Sequence, residues 1–247
     1  MKRIKKNTIK KPSARLRYPL TKSISLIGLM GSGKTTVGVR LARRLGINFV
    51  DSDAEIELAA DHTISEIFEK FGEADFREGE RKVISRLVSD KPNVLGTGGG
   101  AFMDRETRKR LKEKTITVWL KADIEHLVER TSRRDTRPLL REGNPEDILR
   151  KLAKKRYPIY GQAAITVETG AGPHEKVVTD IIWKLNQYLA RERKQKDHKA
   201  SNKKNAPRRG QYGLKKSPQK KSTAKTEQKP ATKDVKESHE PKDNHRS

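Results

Sequence analysis

A glycine-rich octapeptide at residues 28–35, G-L-M-G-S-G-K-T, has the spacing of a loop that binds the phosphates of a nucleotide. It matches G-x-x-x-x-G-K-[ST] at every fixed position. Glycines let the backbone turn tightly enough for several N–H groups to converge on phosphate oxygens. A lysine then neutralises phosphate charge, and the next hydroxyl is a ligand for Mg²⁺. The octapeptide therefore predicts a bound nucleoside triphosphate, with Mg²⁺ as cofactor.

We expect Lys34 to reach the β- and γ-phosphates and Thr35 to ligate Mg²⁺. A tight strand-to-helix connection would also explain the glycines, but it would not require a lysine followed by a threonine. The helix that begins near Lys34 adds the positive end of its dipole to the phosphate site. The predicted phosphate-binding residues are Gly31, Ser32, Gly33, Lys34, Thr35 and Thr36.

Three further segments carry side chains or glycines suited to a polar ligand. F-V-D-S-D contains Asp51 and Asp53, F-R-E-G-E contains Arg77, and G-T-G-G-G-A contains residues 98–100. The first and third follow predicted strands, so they fall at the sheet edge where ligands bind in open parallel sheets. The polar residues of the first two segments could instead have structural roles. Ser52 or Asp53 could cap a helix over residues 54–60, and Arg77 could pair with Glu73 or Glu80 on a helix surface.

Alternating strands and helices must position these residues. Predicted buried strands are Ile24 to Ile27, Asn48 to Val50, Val94 to Gly96, Thr115 to Leu120 and Ile165 to Val167. Apolar residues recur at helical spacing from Thr36 to Leu45 and from Glu175 to Leu189. The sequence therefore predicts an α/β fold of three layers, with a central parallel sheet of about five strands covered on both faces.

The ends of the chain differ in composition from its centre. The net charge is +25 over 247 residues, but residues 1–22 hold nine Lys or Arg without an acid, and residues 191–247 hold nineteen basic and seven acidic residues. Such segments bury too little apolar surface to offset their ordering entropy. We predict a folded domain at 23–190 between two disordered basic extensions. An organelle presequence would favour Arg and Ser over the Lys found at 1–22.

The cysteine content and the hydropathy of the chain exclude several kinds of site and a membrane-spanning helix. The absence of Cys excludes a disulfide framework, a thiolate zinc site and a cysteine nucleophile. No apolar run approaches the roughly 18–20 residues needed to cross a bilayer. We expect a cytoplasmic monomer without a membrane partner. The basic extensions are expected either to solubilise the chain or to contact polyanions non-specifically.

The order of the motifs resembles that of the shikimate kinase family, which consists of small-molecule kinases with a P-loop. The resemblance covers approximately residues 22–190. It rests on the P-loop, F-x-D-x-D, F-R-x-x-E, the triple glycine, R-P-L-L at residues 137–140 and R-x-x-x-Y at residues 156–160. It implies transfer of the ATP γ-phosphate to the 3-hydroxyl of shikimate, a step of chorismate and aromatic amino acid biosynthesis.

The resemblance also implies roles for single residues. Arg77 and Arg156 would bind the shikimate carboxylate, for which paired guanidinium groups are suited. Asp53 would accept hydrogen bonds from shikimate hydroxyls and orient the reacting one, either with or without acting as general base. Gly99 and Gly100 would offer backbone contacts to the substrate. The family's water-mediated Mg²⁺ aspartate matches Asp51, and its catalytic set matches Lys34, Asp53 and Arg137.

A mobile lid is implied at residues 131–144. In the family this lid closes over the nucleotide and excludes water. Arg137 would then cover the phosphates, while Arg130 and Pro138 would lie near the adenine. Residues 170–174, G-A-G-P-H, depart from the family pattern because family members often carry an arginine there that packs on the base.

Two other functions remain open from the sequence. The first is a kinase for another small polyol or sugar acid, such as gluconate, although two arginines and the R-P-L-L segment favour shikimate. The second is a nucleic-acid-associated protein whose P-loop domain is secondary to its basic tail.

Overall fold

The central element is a five-stranded parallel sheet. A computed structural model describes residues 15–88, 91–132 and 143–204. The strands are β1 (Ser23–Ile27), β2 (Phe49–Asp51), β3 (Val94–Gly96), β4 (Thr115–Ala122) and β5 (Ile165–Thr169). Their order across the sheet is β2-β3-β1-β4-β5. The predicted α/β fold with a parallel sheet of about five strands is confirmed.

Burial on both faces explains why these short apolar runs form strands. Every residue of β1 and β3 is buried, as expected for strands covered by helices on each side. Ile24 of β1 lies opposite Val94 on one side and Ile116 on the other, so β1 is at the centre of the sheet. The carboxyl ends of β1, β2 and β3 are adjacent, and they carry the P-loop, Asp51 and the triple glycine.

Helices cover both faces of the sheet. They are α1 (Lys34–Leu45), α2 (Ser52–Ala60), α3 (Ile64–Leu87), α4 (Arg105–Lys114), α5 (Ile124–Ser132), α6 (Pro145–Tyr160) and α7 (His174–Lys204), with a 3₁₀ turn at Ala101–Met103. Apolar residues of α1 and α7 form one core cluster with inward residues of the sheet, and those of α2 to α6 form a second cluster. No helix in the described ranges has the length and apolar character required to span a membrane.

The last helix is longer than the sequence predicts. Its packed face ends at Leu189, which is 8% exposed, and residues 193–198 are exposed. The helix nevertheless continues to Lys204. The predicted end of ordered structure at Ala190 is thus corrected, because Arg, Lys, Glu and Gln favour helix even where no neighbouring element covers them. Residues 205–247 of the predicted tail lie outside the described residues.

Residues 15–22 also depart from the prediction, since they pack on the domain instead of forming part of a disordered extension. Leu16, Tyr18 and Leu20 contact the α1–α7 core cluster. Asn186 of α7 holds the same segment through its side-chain amide: its Oδ1 accepts from Arg17 N at 2.7 Å and its Nδ2 donates to Arg15 O at 3.0 Å. Basic and apolar residues alternate only over residues 15–18, which is too short a pattern to predict this packing from the sequence. Residues 1–14 lie outside the described part.

We expect Asn186→Ala to lower the free energy of unfolding by about 1–3 kcal/mol, because a buried amide then no longer satisfies two backbone groups. Urea unfolding followed by circular dichroism measures the change. Gln187→Ala is the matched control: Gln187 is the next residue of α7 and is exposed, so its replacement should change stability by less than about 0.5 kcal/mol. Equal effects of the two variants would contradict the anchoring of residues 15–22.

Candidate active site

The P-loop connects β1 to α1 at the centre of the sheet edge. In the structure, Lys34 Nζ donates to Gly28 O at 3.0 Å and to Leu29 O at 3.1 Å. The lysine is therefore held over the loop by the loop's own carbonyl groups. Because Lys34 is also the first residue of α1, the loop N–H groups and the positive end of the helix dipole face the same space.

Asp51 links the P-loop to the end of β2. Thr35 Oγ1 donates to Asp51 Oδ2 at 3.2 Å, and Asp51 Oδ1 accepts from Asp53 N at 3.1 Å. Asp51 is thus the N-cap of α2, and the alternative interpretation of Ser52 or Asp53 as the cap is wrong. A bonded hydroxyl and carboxylate are hard oxygen donors that fit Mg²⁺, which keeps several waters and phosphate oxygens as ligands. Within the described ranges no group of three or more His, Asp or Glu side chains forms a metal cage.

The triple glycine permits close approach of two predicted site residues. A Cβ added to Gly98 would lie 2.6 Å from Asp53 Oδ1, and one added to Gly100 would lie 2.7 Å from Arg77 Nη1. Real Cβ atoms do not come this close, so a larger residue at either position would displace the carboxylate or the guanidinium. The structure thereby brings Asp53, Arg77 and the glycine segment together, as predicted.

Arg77 is oriented by two acids on its own helix, α3. It donates to Glu73 at 3.1 Å and to Glu80 at 2.8 Å. The expected surface ion pair therefore coexists with a position beside the glycines. Glu80 is only 1% exposed, and burial raises the pKa of its carboxyl, while the bond from Arg77 opposes that increase. The sequence predicted Glu80 as an ion-pair partner of Arg77 on the helix surface, from their spacing of three residues, but it did not indicate that the Glu80 carboxyl is buried.

Arg156 reaches the same segment from α6. Its Nη1 donates to Gly99 O at 3.1 Å, and Tyr160 donates to the same oxygen at 2.5 Å. Tyr160 is fully buried. Tyr160 is the last residue of the R-x-x-x-Y motif, but the sequence alone indicates no function for it. The structure thus places Arg156 and Arg77 on neighbouring glycines.

A single cleft of about 490 Å³ joins the P-loop to this group. This volume is in the ordinary range for small-molecule sites. Its lining includes most of the predicted nucleotide and metal residues that the structure describes, namely Gly31, Gly33, Lys34, Thr35, Thr36, Asp51 and Arg130, and two of the five predicted acceptor residues, Asp53 and Gly99. Arg77, Gly100 and Arg156 adjoin these residues but are not part of the lining. Ser32 belongs to the same loop but is buried, with an exposure of 1%.

Arg130 and His174 line the cleft beside the P-loop, where Arg130 lies near Gly31 and His174 near Gly33. Arg130 donates to Gly170 O at 2.5 Å, which ties α5 to the loop after β5. Burial, together with Arg40 and Arg130, lowers the pKa of His174. The lowered pKa favours the neutral form of His174, which begins α7 directly after the segment that lacks the arginine expected from the family pattern. The sequence alone indicates no role for this histidine.

The predicted lid can be placed only at its ends. Thr131 lies in α5, and Asn144 caps α6 by accepting from Glu146 N at 2.9 Å. Arg137 and Pro138 lie outside the described residues.

Comparison with known proteins decides the family. A sequence model described as "Shikimate kinase" matches residues 30–186. The chain belongs to the shikimate kinase family. The match begins inside the P-loop and ends in α7, so it includes all the motifs that carry the resemblance except the first two residues of the loop.

Individual shikimate kinases agree with this assignment. One from Caulobacter vibrioides is 53% identical over 166 residues, which are 67% of this chain and 83% of that protein. One from Paramagnetospirillum magneticum is 54% identical over 168 residues, covering 68% of this chain and 86% of its own length.

Solved structures of the family have the same fold. The shikimate kinase of Acinetobacter baumannii in complex with shikimate superposes with a TM-score of 0.64 at 44% identity, covering 69% of this chain and 94% of that one. The Aquifex aeolicus shikimate kinase gives a TM-score of 0.59 at 38% identity and covers 66% and 95% of the two chains.

Proposed function

We propose that this chain transfers the γ-phosphate of ATP to the 3-hydroxyl of shikimate. The observation that carries the proposal is the continuity of the cleft: Lys34 and Thr35 line the same space as Asp53 and Gly99. One half has the chemistry of a phosphate site and the other that of a hydroxy-acid site. Membership in the shikimate kinase family supports the same acceptor.

In the phosphate half, Lys34 would leave its loop carbonyls and bind the β- and γ-phosphates, while Gly31 to Thr36 offer backbone and hydroxyl donors. Mg²⁺ would be held by Thr35 directly and by Asp51 through water. When bound, it neutralises charge on the phosphates. Arg130 would contact the adenine, and we keep Arg137 and Pro138 as proposed nucleotide contacts from the lid.

In the acceptor half, Arg77 and Arg156 would clamp the carboxylate of shikimate. Their positions beside Gly100 and Gly99 suit a ring acid lying across the glycine segment. Asp53 would accept from the reacting hydroxyl and set its direction toward the terminal phosphate. A gluconate-like acceptor would use the same arginines, so competition between the two acids discriminates them.

The reaction proposed is an in-line displacement. The shikimate oxygen forms a bond to the γ-phosphorus as the bond from that phosphorus to the ADP oxygen breaks. The hydroxyl proton passes to Asp53, or to water if the proton leaves only after the bond to the γ-phosphorus has formed. Lys34 neutralises the charge on the transferring group, because phosphoryl transfer is catalysed mainly by positioning and electrostatic stabilisation.

The test is an ADP-release assay of the full chain with shikimate, gluconate or a nucleoside monophosphate as acceptor. We expect turnover with shikimate and at least about 100-fold lower kcat/KM with the others, since a site built for one set of hydroxyls leaves polar groups unpaired with a wrong acceptor. Comparable activity with gluconate would overturn the acceptor assignment. No activity with any of them would overturn the kinase assignment.

We further propose that the protein is a cytoplasmic monomer and that its basic tail contacts polyanions non-specifically. Every proposed site residue comes from one chain, and ATP is a cytoplasmic metabolite. Removal of residues 205–247 should leave kcat and KM within about twofold, because every residue proposed for the active site precedes them in the chain. A large loss of kinase activity would favour the nucleic-acid-associated alternative, which also requires salt-dependent binding of the full chain to a DNA fragment.

A further inference from the structure

The middle glycine of the triple glycine is fixed differently from its neighbours. The carbonyls of Gly98 and Gly100 accept from the backbone N–H groups of Ala101 and Met103. The carbonyl of Gly99 accepts instead from Arg156 and Tyr160, two side chains of α6. The local turn therefore holds the outer peptides, while a distant helix holds the central one.

Tyr160 has the geometry of a fixed donor. It is fully buried, and its ring lies 6.0 Å from Trp119 in an edge-on contact and 6.4 Å from Phe102. Burial raises the pKa of Tyr160, so its hydroxyl stays protonated at neutral pH even though Arg156 acts in the opposite direction. A ring packed in this way has little freedom to move its hydroxyl away from Gly99.

Anchoring this carbonyl has a consequence on the opposite side of the peptide. A trans peptide is planar, so a fixed Gly99 C=O also fixes the direction of the Gly100 N–H. Arg156 lies four residues before Tyr160 and therefore on the same face of α6. With Tyr160 in place, Gly99 O keeps a neutral donor when Arg156 turns toward an anionic ligand. Without Tyr160, the guanidinium is the remaining donor observed at that oxygen.

We infer that Tyr160 is a positioning residue for the acceptor: it holds the Gly99–Gly100 peptide and leaves Arg156 available to the substrate carboxylate. The identity of the acceptor in this inference rests on the proposed function. The orientation of the Gly99–Gly100 peptide rests on the hydrogen bond from Tyr160 and does not depend on which acceptor binds. Tyr160 itself need not touch the substrate.

The protein offers a matched control for a purely structural role. Tyr157 belongs to the same helix and the same aromatic cluster, with its ring 5.1 Å from Trp119. Its hydroxyl donates to Ala122 O at 2.7 Å, at the end of β4. Both Tyr→Phe changes keep the ring and remove one hydrogen bond to a backbone carbonyl, but only one of these carbonyls belongs to the glycine segment.

The experiment compares Tyr160→Phe with Tyr157→Phe in steady-state kinetics. For Tyr160→Phe we expect KM for shikimate to rise about 3- to 10-fold, the effect of one lost hydrogen bond, while KM for ATP stays within about twofold. Tyr157→Phe should leave both constants within about twofold. Both substitutions should lower Tm by a similar amount, as measured by thermal unfolding. Equal shikimate KM values for the two, or a parallel rise in KM for ATP, would overturn the positioning role.

A second readout needs no turnover. In ¹⁵N-labelled, ligand-free protein, Tyr160→Phe should shift or broaden the amide signals of Gly99 and Gly100, whereas Tyr157→Phe should leave them unchanged. Unchanged glycine signals in Tyr160→Phe would refute the anchoring directly. If the wild-type chain did not phosphorylate shikimate, the proposed function would fail, and this NMR comparison would still decide whether Tyr160 orients the glycine peptide.

Discussion

Replacing Lys34 by Met should lower kcat for shikimate phosphorylation by about 10²- to 10³-fold, the usual cost of removing a donor that stabilises transition-state charge. Methionine keeps most of the apolar stem, so the loss is mainly that of the ammonium group. Lys34 bonds to the carbonyls of Gly28 and Leu29 in the structure, which places its charge over the phosphate site before the nucleotide arrives. Steady-state ADP release at saturating ATP and shikimate measures the loss.

The matched control is Lys22→Met. Lys22 precedes β1 and bonds to Glu113 O, so it lies at the opposite end of the strand from the P-loop. Its loss removes the same charge from the chain and should leave kcat within about twofold. Circular dichroism should show folded protein for both variants. Wild-type turnover by Lys34→Met would contradict the charge-neutralising role assigned to this lysine.

The parts predicted correctly from the sequence are those with local signals. The P-loop is one continuous motif in which each position has its own chemical reason. The strands are short apolar runs that have to be buried on both faces, and all five predicted runs form strands. The order of strands and helices then brings Asp51 and the triple glycine to the P-loop without any knowledge of side-chain contacts.

The parts missed depend on contacts between distant segments. Nothing near Asn186 in the sequence indicates that its amide holds residues 15–17, more than 160 positions away. Tyr160 acquires its function only because α6 packs across the glycine segment. The triple glycine was expected to leave room for a ligand, but the atoms that a Cβ would meet at Gly98 and Gly100 belong to Asp53 and Arg77.

Glu80 makes the acceptor site and the stability of the fold depend on each other. Its buried carboxyl bonds to Arg77, the same guanidinium that we propose for the shikimate carboxylate. Such a pair is costly to break from one side, because the remaining charge stays buried. The arginine is 25% exposed, so part of its side chain remains accessible beside the glycine segment. Arg77 can thus be oriented by Glu80 and still bind an anion.

Arg77→Ala should raise KM for shikimate by about 10- to 100-fold, since a charged hydrogen-bonding partner of the carboxylate is removed, and leave KM for ATP within about twofold. It should also change the pH dependence of stability. Burial already raises the pKa of Glu80, and loss of Arg77 removes the bond that opposes this increase. A raised pKa in the folded state means that stability is retained at low pH and lost as the pH rises through that pKa.

Urea unfolding at pH 5 and pH 8 should therefore show a larger loss of stability for Arg77→Ala at the higher pH. Adding Glu80→Gln to Arg77→Ala should remove this pH difference, because the amide that replaces the carboxyl does not ionise. KM for shikimate should stay raised, because the double variant still lacks the guanidinium that binds the carboxylate. Arg81→Ala is the control for another arginine of the same helix, whose long and partly exposed pairs with Asp104 and Glu106 contribute little. An unchanged shikimate KM in Arg77→Ala would remove Arg77 from the acceptor site, whereas an equal loss of stability at both pH values would contradict the burial of an uncompensated Glu80 charge.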